Sequence, residues 1–269
     1  RAADSVMLQS RMLNASKGPA VHSLRMQADR VRYRNYMKKT LENTPNLTLV
    51  QSEVVEVLVE NGAVSGVRTA FGMTYRAKAV IIATGTSLGG RVIVGEHAYS
   101  SGPDNTLPAT RLTAALRDIG VSIVRFKTRT PPPVHSDSID YSVLERQEGD
   151  EPAFLFASDD YGTNLLPCYV TYTTPETHRI IRENLHRSPL FGGMIKGVGP
   201  RYCPSIEDKV VRFADKDRHQ IFIEPMGLDT KEMYLQGLSS SLPEDVQRDI
   251  VHSMKGLENA VIMRTAYAI

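Results

Sequence analysis

The residues best suited to chemistry lie together in the stretch 200–213, which reads PRYCPSIEDKVVRF. Ser205 and Asp208 have the spacing of a capping box, so a short helix should begin there. Cys203 would then lie just before the helix N-terminus and two residues from Arg201. The positive end of the helix dipole and the guanidinium both favour the thiolate form of a cysteine. One interpretation of this stretch is therefore a reactive thiol at Cys203.

The same stretch supports two other interpretations. The amides at a helix start bind anions and Arg201 could make a bidentate phosphate contact, so the stretch could cradle the pyrophosphate of a dinucleotide. Alternatively, Cys203 is an inert buried thiol and Arg201 belongs to a structural ion pair. The residue types alone leave all three interpretations open.

A second candidate site follows the apolar run 79–83. The pattern predicts a hairpin over 54–70 with an Asn61-Gly62 turn, and then a third strand over 74–83. A continuous apolar run is typical of a strand buried on both faces of a parallel sheet. Gly85 would then lie at the carboxyl end of that strand, where doubly wound sheets bind their ligands. The alternative is a buried strand followed by an ordinary glycine turn.

The first part of the chain is basic. Residues 1–43 carry nine Lys or Arg against three Asp or Glu, although the whole chain has a net charge of only +2. We expect a loop over 11–18 and one helix over 19–42, because apolar residues recur there at roughly helical spacing. Its basic residues either face the phosphates of RNA or form a solvated helix surface. The RNA hypothesis depends on Arg25, Arg30, Arg34 and Lys38.

The remaining elements alternate between strands and helices. The proline-rich stretch 127–133 should be extended and irregular, because proline blocks both helix and strand pairing. A helix over 175–184 should begin at Thr174, which is a favourable N-cap residue. Further strands are predicted over 47–50, 121–126, 168–173 and 219–224, and further helices over 111–119 and 243–254.

Composition excludes several classes of protein. The 269 residues, 41% of them hydrophobic, suffice for one large domain or two ordinary ones. No apolar run reaches the roughly 18 residues of a membrane span. Cys168 and Cys203 form neither a CxxC pair nor a zinc pattern, which argues against a structural metal and against a pyridine-nucleotide disulfide oxidoreductase. Because the chain starts at Arg1 and stops at Ile269 after an apolar segment, we expect both ends to be cuts.

Taken together, these stretches resemble the GidA/MnmG family, the tRNA uridine 5-carboxymethylaminomethyl modification enzymes. The resemblance runs from Arg11 to Ile269 and is most specific over 199–225. The matching stretches are RMLNASKGPAV (11–21), RAKAVIIATGTSL (76–88), FKTRTPP (126–132), LPCYVTYT (166–173), NLHRSPLFGG (184–193), GPRYCPSIEDKVVRFADKDRHQIFIEP (199–225) and YLQGLSSSLPEDVQ (234–247).

The resemblance implies an α/β fold. It consists of a Rossmann-like FAD-binding domain of the glutathione-reductase type, incomplete here, with an inserted α+β NAD-binding domain. We assign residues 1–125 to the FAD-binding domain. Residues 126–269 would form the inserted NAD and substrate domain and the start of the return to the FAD domain. The resemblance further implies a cytoplasmic homodimer.

The resemblance also implies an activity. The family uses FAD, NADH and methylene-tetrahydrofolate, together with a GTPase of the MnmE/TrmE family. These components build an aminomethyl or carboxymethylaminomethyl group on carbon five of the wobble uridine in tRNA. The chain itself should be inactive, since it lacks the GxGxxG that such FAD domains carry. The alternatives are a folate- and FAD-dependent tRNA uridine methyltransferase and a non-catalytic RNA-binding piece.

Site residues follow from the resemblance where the motifs match. The FAD contacts correspond to Val54 and Ala109, beside the glycine-turn residue Gly85. Cys203 corresponds to a cysteine proposed to attack carbon six of uracil. Three positions depart from the family: Ala109 replaces a more usual Ser, Arg129 a Gly, and Pro133 an Arg. The NAD segment corresponds to Gly199, Pro200, Arg201, Tyr202, Cys203, Pro204, Ser205, Ile206, Glu207, Asp208, Lys209, Val210, Val211, Arg212 and Phe213.

Overall fold

The computed structural model describes residues 1–195 and 204–269. The helices are α1 (Ala2–Ser5), α2 (Arg30–Glu42), α3 (Thr110–Asp118), α4 (Pro175–Glu183), α5 (Ile206–Arg212) and α6 (Glu244–His252). The strands are β1 (Met7–Leu13), β2 (Ser23–Ala28), β3 (Val54–Glu60), β4 (Ala63–Thr69), β5 (Thr74–Arg76), β6 (Arg91–Val94), β7 (His97–Ser100), β8 (Pro133–His135), β9 (Glu145–Gln147), β10 (Ala153–Phe154), β11 (Tyr161–Gly162), β12 (Cys168–Tyr172), β13 (Gln220–Pro225) and β14 (Glu232–Gln236).

The main core forms around a five-stranded sheet with the order β8-β14-β13-β12-β9. Every neighbouring pair in this sheet is antiparallel. Alternate residues of β13, Ile221 and Ile223, are fully buried, as expected for a strand with one face on the core. Helices α4, α5 and α6 bury apolar side chains in the same cluster, for example Ile181, Val210 and Ile250. Each such side chain contributes roughly 1.5–3 kcal/mol by leaving water.

A smaller unit contains the antiparallel strands β3, β4 and β5. The predicted Asn61-Gly62 turn is confirmed, since both residues have positive φ, 51° and 78°. Helix α3 packs on β3, and their contact buries Val57, Leu112 and Leu116. This second cluster is far smaller than the main one, so the unit depends on few apolar contacts.

The prediction of one helix over 19–42 is wrong in its first half. Residues 23–28 form β2, which pairs antiparallel with β1, and only Arg30–Glu42 is helical. Asp29 ends the strand and caps the helix, because its carboxylate accepts the Arg32 amide at 2.9 Å. The apolar spacing in 19–28 fits a helix equally well. Pairing with β1, which we did not predict, decides the conformation.

The prediction of a doubly buried strand over 79–83 is also wrong. These residues form no strand, and Ile81 is 92% exposed. A strand of this kind needs hydrogen-bonded neighbours and a covering layer on both faces. In the described part of the chain no strand pairs with it, and all strand ladders are antiparallel. The predicted strands over 47–50 and 121–126 likewise do not form there.

The later elements agree well with prediction. Helix α4 begins at Thr174, whose side chain accepts the Thr177 amide in a capping box. Strands β12 and β13 and helices α3 and α6 lie where the sequence predicts them. Strand β14 was not predicted. The described fold is therefore a mixture of helices and antiparallel sheets.

Two histidines stack inside the main unit. The ring centroids of His178 and His219 lie 5.4 Å apart. The Thr173 hydroxyl bonds to Nε2 of His178 at 2.8 Å and accepts the His219 amide at 2.8 Å. Burial lowers the pKa of both imidazoles. The neighbouring His219 and Arg182 lower the pKa of His178 further, and Lys209 lowers that of His219. The folded protein therefore favours two neutral rings.

This pair should make the protein acid-sensitive. Above pH 6.5 the rings are neutral in both folded and unfolded chains, and the stability is fully present. As the pH falls below that value, the unfolded chain binds protons first, so the free energy of unfolding decreases. Urea unfolding at several pH values should show a smaller decrease for His178→Gln than for the wild type. His97→Gln, at an exposed histidine, should keep the wild-type slope. Equal slopes for all three proteins would contradict this account.

Candidate functional site

The predicted capping box at the start of α5 is confirmed. The Ser205 hydroxyl accepts the Asp208 amide at 3.1 Å, and the Asp208 carboxylate accepts the Ser205 amide at 3.2 Å. Residues 196–203 lie outside the described residues. The predicted nucleophile Cys203 is therefore not among the described residues, and neither is Arg201. The same is true of Gly199, Pro200 and Tyr202 in the predicted NAD segment.

The start of α5 points into the protein. Ser205, Ile206 and Glu207 are fully buried, and the Ile206 amide donates to the carbonyl of Ser239 at 2.8 Å. Together with the capping box, this bond means that the amides of Ser205, Ile206 and Asp208 all donate to acceptors of the same chain. These are the donors that a pyrophosphate would need at a helix start. The exposed part of the predicted NAD segment is its other end, where Val211 and Phe213 are 42% and 50% exposed.

A buried charge cluster anchors the helix start. The Arg129 side chain is only 2% exposed, and its Nη1 lies 3.4 Å from the Asp208 carboxylate. Its Nε donates to the Ser241 hydroxyl at 3.4 Å, and the Ser241 amide donates to Glu207 at 3.3 Å. Burial raises the pKa of Glu207, and Arg129 opposes that rise. The cluster joins α5 to residues 127–130 and to the loop after β14.

In the sequence, Arg129 stands out only as a departure from the family pattern. Its structural role is indicated by its position. Arg129 lies in an irregular, proline-rich stretch, which must be held in place largely by side-chain contacts because proline limits backbone pairing. A long cation there needs a buried carboxylate partner. Glu207 and Asp208 are adjacent acidic residues in the segment already selected as the site.

Two of the three predicted flavin residues pack against the smaller core. Val54 and Ala109 both pack against the cluster of Val57, Leu112 and Leu116. The Ala109 amide donates to the Ser87 carbonyl at 2.8 Å, so that amide is already engaged. Gly85 has a φ of 54°, and no atom lies within 4 Å of the position that its Cβ would occupy. Gly85 alone therefore leaves open backbone for a ligand.

The basic residues of the predicted RNA surface are mostly paired. Arg25 lies in β2 and bonds to Glu224, Arg30 bonds to Asp104, and Lys38 lies 3.6 Å from Glu42. Arg25 and Arg34 are therefore not on one continuous helix, as we had expected. These ion pairs reduce the free positive charge on which the RNA hypothesis depended.

Cys168 behaves as a packing residue. It is fully buried on β12, and burial raises the pKa of its thiol to about 12. A thiol in such a site is not a nucleophile at neutral pH. Over residues 1–195 and 204–269, no group of three or more His, Cys, Asp or Glu side chains could hold a metal ion. In the same ranges no helix is long and apolar enough to cross a membrane.

The buried cluster yields a stability test. Arg129→Met keeps most of the side-chain volume but leaves Asp208 and Glu207 buried without a cation. Breaking a buried pair in this way typically costs about 3–5 kcal/mol in the free energy of unfolding. Arg146→Met is the control, because Arg146 pairs with Glu148 at the surface and such pairs contribute about 0–1 kcal/mol. Similar unfolding midpoints in urea for the two variants would contradict a structural role for Arg129.

Comparison with known proteins identifies the family. A family model described as glucose inhibited division protein A matches residues 1–269. The tRNA uridine 5-carboxymethylaminomethyl modification enzyme MnmG of Caldicellulosiruptor saccharolyticus is 60% identical over 271 residues, which is 100% of this chain and 43% of that protein. MnmG of Streptococcus sanguinis is 58% identical, over 99% of this chain and 42% of its own length. The chain thus spans less than half the length of these relatives.

The comparison with solved structures supports the same family. Aquifex aeolicus GidA in one crystal form superposes with a TM-score of 0.91 at 49% identity, over 99% of this chain and 46% of that one. A second crystal form gives a TM-score of 0.89 at 46% identity, over 99% of this chain and 44% of that one. The sequence resemblance is confirmed over the whole chain, and the chain belongs to the glucose-inhibited division protein A (GidA) family.

Proposed function

We propose that this chain is part of an FAD- and NADH-dependent enzyme that modifies carbon five of the wobble uridine in tRNA. The product would be an aminomethyl or carboxymethylaminomethyl uridine. The observation that carries this proposal is the 60% identity, over the entire chain, to a relative named for that modification. A TM-score of 0.91 to a GidA structure supports the same conclusion from the fold.

The wider setting follows from the family resemblance. The enzyme would take its one-carbon unit from methylene-tetrahydrofolate and would act with a GTPase of the MnmE/TrmE family. We further propose a cytoplasmic homodimer. Residues 1–125 would belong to the FAD-binding domain, and 126–269 to the inserted NAD and substrate domain and the return to the FAD domain. Contacts of β1, β2 and Asp29 with 145–166 and 224–228 would then join the two parts.

The described residues fit a flavin in part. Gly85 offers main chain with open space around it, and small residues of this kind allow a cofactor to approach closely. Val54 packs against the same small apolar cluster as Leu88, three residues after Gly85. Ala109 could contribute only packing, because its amide donates to Ser87. A bound flavin would supply hydride transfer between NADH and the one-carbon unit.

For NADH, the buried start of α5 limits where contacts can fall. Ser205, Ile206 and Glu207 would stabilise the segment from inside, because they are fully buried. Direct contact from the described part of the segment would involve the exposed side chains at 211–213. We propose this division of roles for the segment 199–213.

Cys203 is proposed as the nucleophile. Its thiolate would form a bond to carbon six of uracil, which makes carbon five nucleophilic toward the one-carbon unit. Loss of the carbon-five proton and departure of the sulfur would then restore the ring and the thiolate. The runner-up, a folate-dependent tRNA uridine methyltransferase, is disfavoured by the names of the similar relatives. The RNA-binding piece is disfavoured by the paired basic residues.

The flavin proposal predicts a coloured protein. Expressed from the natural start of its gene, the protein should be yellow, and NADH should bleach its visible absorbance. Gly85→Val should lose bound flavin, since the side chain fills the open space at the turn. Gly72→Val is the matched control: Gly72 also has positive φ and nothing within 4 Å, but lies in the turn between β4 and β5. A colourless wild-type protein indifferent to NADH would overturn the proposal.

If Cys203 is the nucleophile, its substitution should impair tRNA modification without impairing the reduction of the flavin by NADH. Cys203→Ser should lose most tRNA modification, measured by mass spectrometry of the wobble nucleoside, while NADH still bleaches its flavin. Cys168→Ala, which removes the buried structural thiol, should retain modification. Full modification by Cys203→Ser would rule out this role.

A further inference from the structure

A cavity of about 370 Å³ lies beside the main sheet. Its lining comes from β2, the start of α2, β8, β13 and β14, and from neighbouring loops. The described lining includes none of the predicted flavin residues and no residue of the segment 199–213. A cavity of this size is large enough to enclose a small ring. We call it the Glu224 cavity, after the buried acidic residue that lines it.

The carboxylate of Glu224 is only partly engaged. Its side chain is 5% exposed, and Arg25 donates to its Oε1. Arg25 also donates to Gln27 at 3.4 Å, and Gln27 donates to the Pro225 carbonyl at 3.0 Å, which fixes the pair. Burial raises the pKa of Glu224, and Arg25 opposes that rise. Within the described part of the chain no donor reaches Oε2, so this oxygen is left to accept a hydrogen bond from a ligand.

A hydroxyl group in the same cavity also lacks a partner. Thr130 lines the cavity, and its Oγ1 is buried without a hydrogen bond among the described residues. The Thr130 amide donates to the Tyr267 carbonyl at 3.0 Å, which holds the residue in place. Buried hydroxyls without a partner are rare in folded proteins. The Thr130 hydroxyl is therefore a donor available to a carbonyl oxygen of a ligand.

The apolar part of the lining suits a flat ring. Pro131 and Pro133 line the cavity and are buried, and Met226 lines it with them. These side chains offer a surface without polar atoms, against which the face of a ring can pack. The cavity thus combines an apolar surface with one free acceptor and one free donor.

The other charged groups of the lining are paired. Arg30 bonds to Asp104, and Arg264 lies 3.0 Å from Glu232. Together with the Arg25–Glu224 pair, these contacts leave the cavity without an excess of positive charge. The ligand that fits is therefore a neutral polar ring and not a phosphate group.

Uracil has the matching pattern of polar groups. Its Watson–Crick edge presents a single N–H group, at N3, between two carbonyl oxygens. Because Arg25 occupies one oxygen of Glu224, the carboxylate has one oxygen for one N–H, whereas a guanine edge presents two adjacent donors. Cytosine has a lone pair at N3, which a carboxylate repels. Enzymes that act on a base take it out of the stack and read this edge in a pocket.

We propose that the Glu224 cavity binds the extruded uracil ring of the RNA substrate. Oε2 of Glu224 accepts the N3–H, and the Thr130 hydroxyl donates to a neighbouring carbonyl oxygen. Pro131 and Pro133 pack against the ring. The inference rests on the proposed function, because it names the place where the substrate base of that function binds. It makes Glu224 the residue that distinguishes uracil from cytosine, through repulsion of the wrong base.

Glu224→Gln tests this discrimination. The glutamine oxygen can still accept from Arg25, and its Nε2 then places a donor opposite N3, which suits cytosine and not uracil. The measurement is the binding of two RNA stem-loops that differ only in a U or a C at the wobble position, with the protein expressed from its natural start. The wild type should prefer U about tenfold, the effect of one hydrogen bond, and Glu224→Gln should reduce that preference to less than about twofold.

Thr130→Val tests the donor. Valine has a similar shape, and the hydroxyl that it removes has no partner within the described chain. The variant should therefore fold, and NADH should still bleach its flavin, while kcat/KM for tRNA modification falls about tenfold. Ser188→Ala is the matched control, because its hydroxyl is likewise buried without a described partner but does not line the cavity. It should modify tRNA at the wild-type rate.

The outcomes separate this inference from the proposed function. An unchanged preference for U in Glu224→Gln would overturn the role of the carboxylate, and full modification by Thr130→Val would overturn the role of the hydroxyl. If both variants behave like a wild type that modifies tRNA, the cavity is refuted and the proposed function stands. A wild-type protein that modifies no tRNA and binds neither stem-loop would refute both.

Discussion

The burial of one guanidinium constrains much of the described fold. Arg129 is held at 2% side-chain exposure between Asp208 and Ser241. A cation in such a place requires a fixed carboxylate, and that carboxylate also closes the capping box of α5. The Arg129 main chain bridges Ala268, which in turn bridges Ile93 of β6. Arg129 therefore links the start of α5 through its side chain to Ala268 and β6 through its main chain, at a position where the family resemblance led us to expect glycine.

In this arrangement, the polar groups that hold the fold together differ from those that a ligand could reach. At the start of α5, the amides of Ser205, Ile206 and Asp208 all donate within the chain. Their bonds fix the helix but leave those groups no capacity for an anion. Open main chain is found instead at Gly85, where no atom lies within 4 Å of the position that a Cβ would occupy. Anchoring and ligand access are thus divided between the capping box and the glycine turn.

Local signals explain which elements the sequence predicted correctly. The predicted N-cap at Thr174, the capping box at Ser205 and the Asn61-Gly62 turn use residues a few positions apart, and all three form. The pairing of β1 with β2, strand β14 and the exposure of 79–83 depend on distant partners, which a single-sequence pattern does not contain. The same distinction applies to the site. The helix start was predicted, whereas Arg129, the buried partner of Asp208, lies 79 residues away in the sequence and meets it only through folding.

The unequal cores also bear on how a ligand would act. Among the residues that the structure describes, the main cluster contains 17 buried apolar residues and the smaller cluster contains three. Regions with few buried contacts open at lower free energy than the rest of a protein. Val54 and Ala109, two of the residues proposed for the flavin, pack against the smaller cluster. A ligand that binds only the folded arrangement adds its binding free energy to the stability of that arrangement. A bound flavin would therefore stabilise the unit that has the fewest buried contacts.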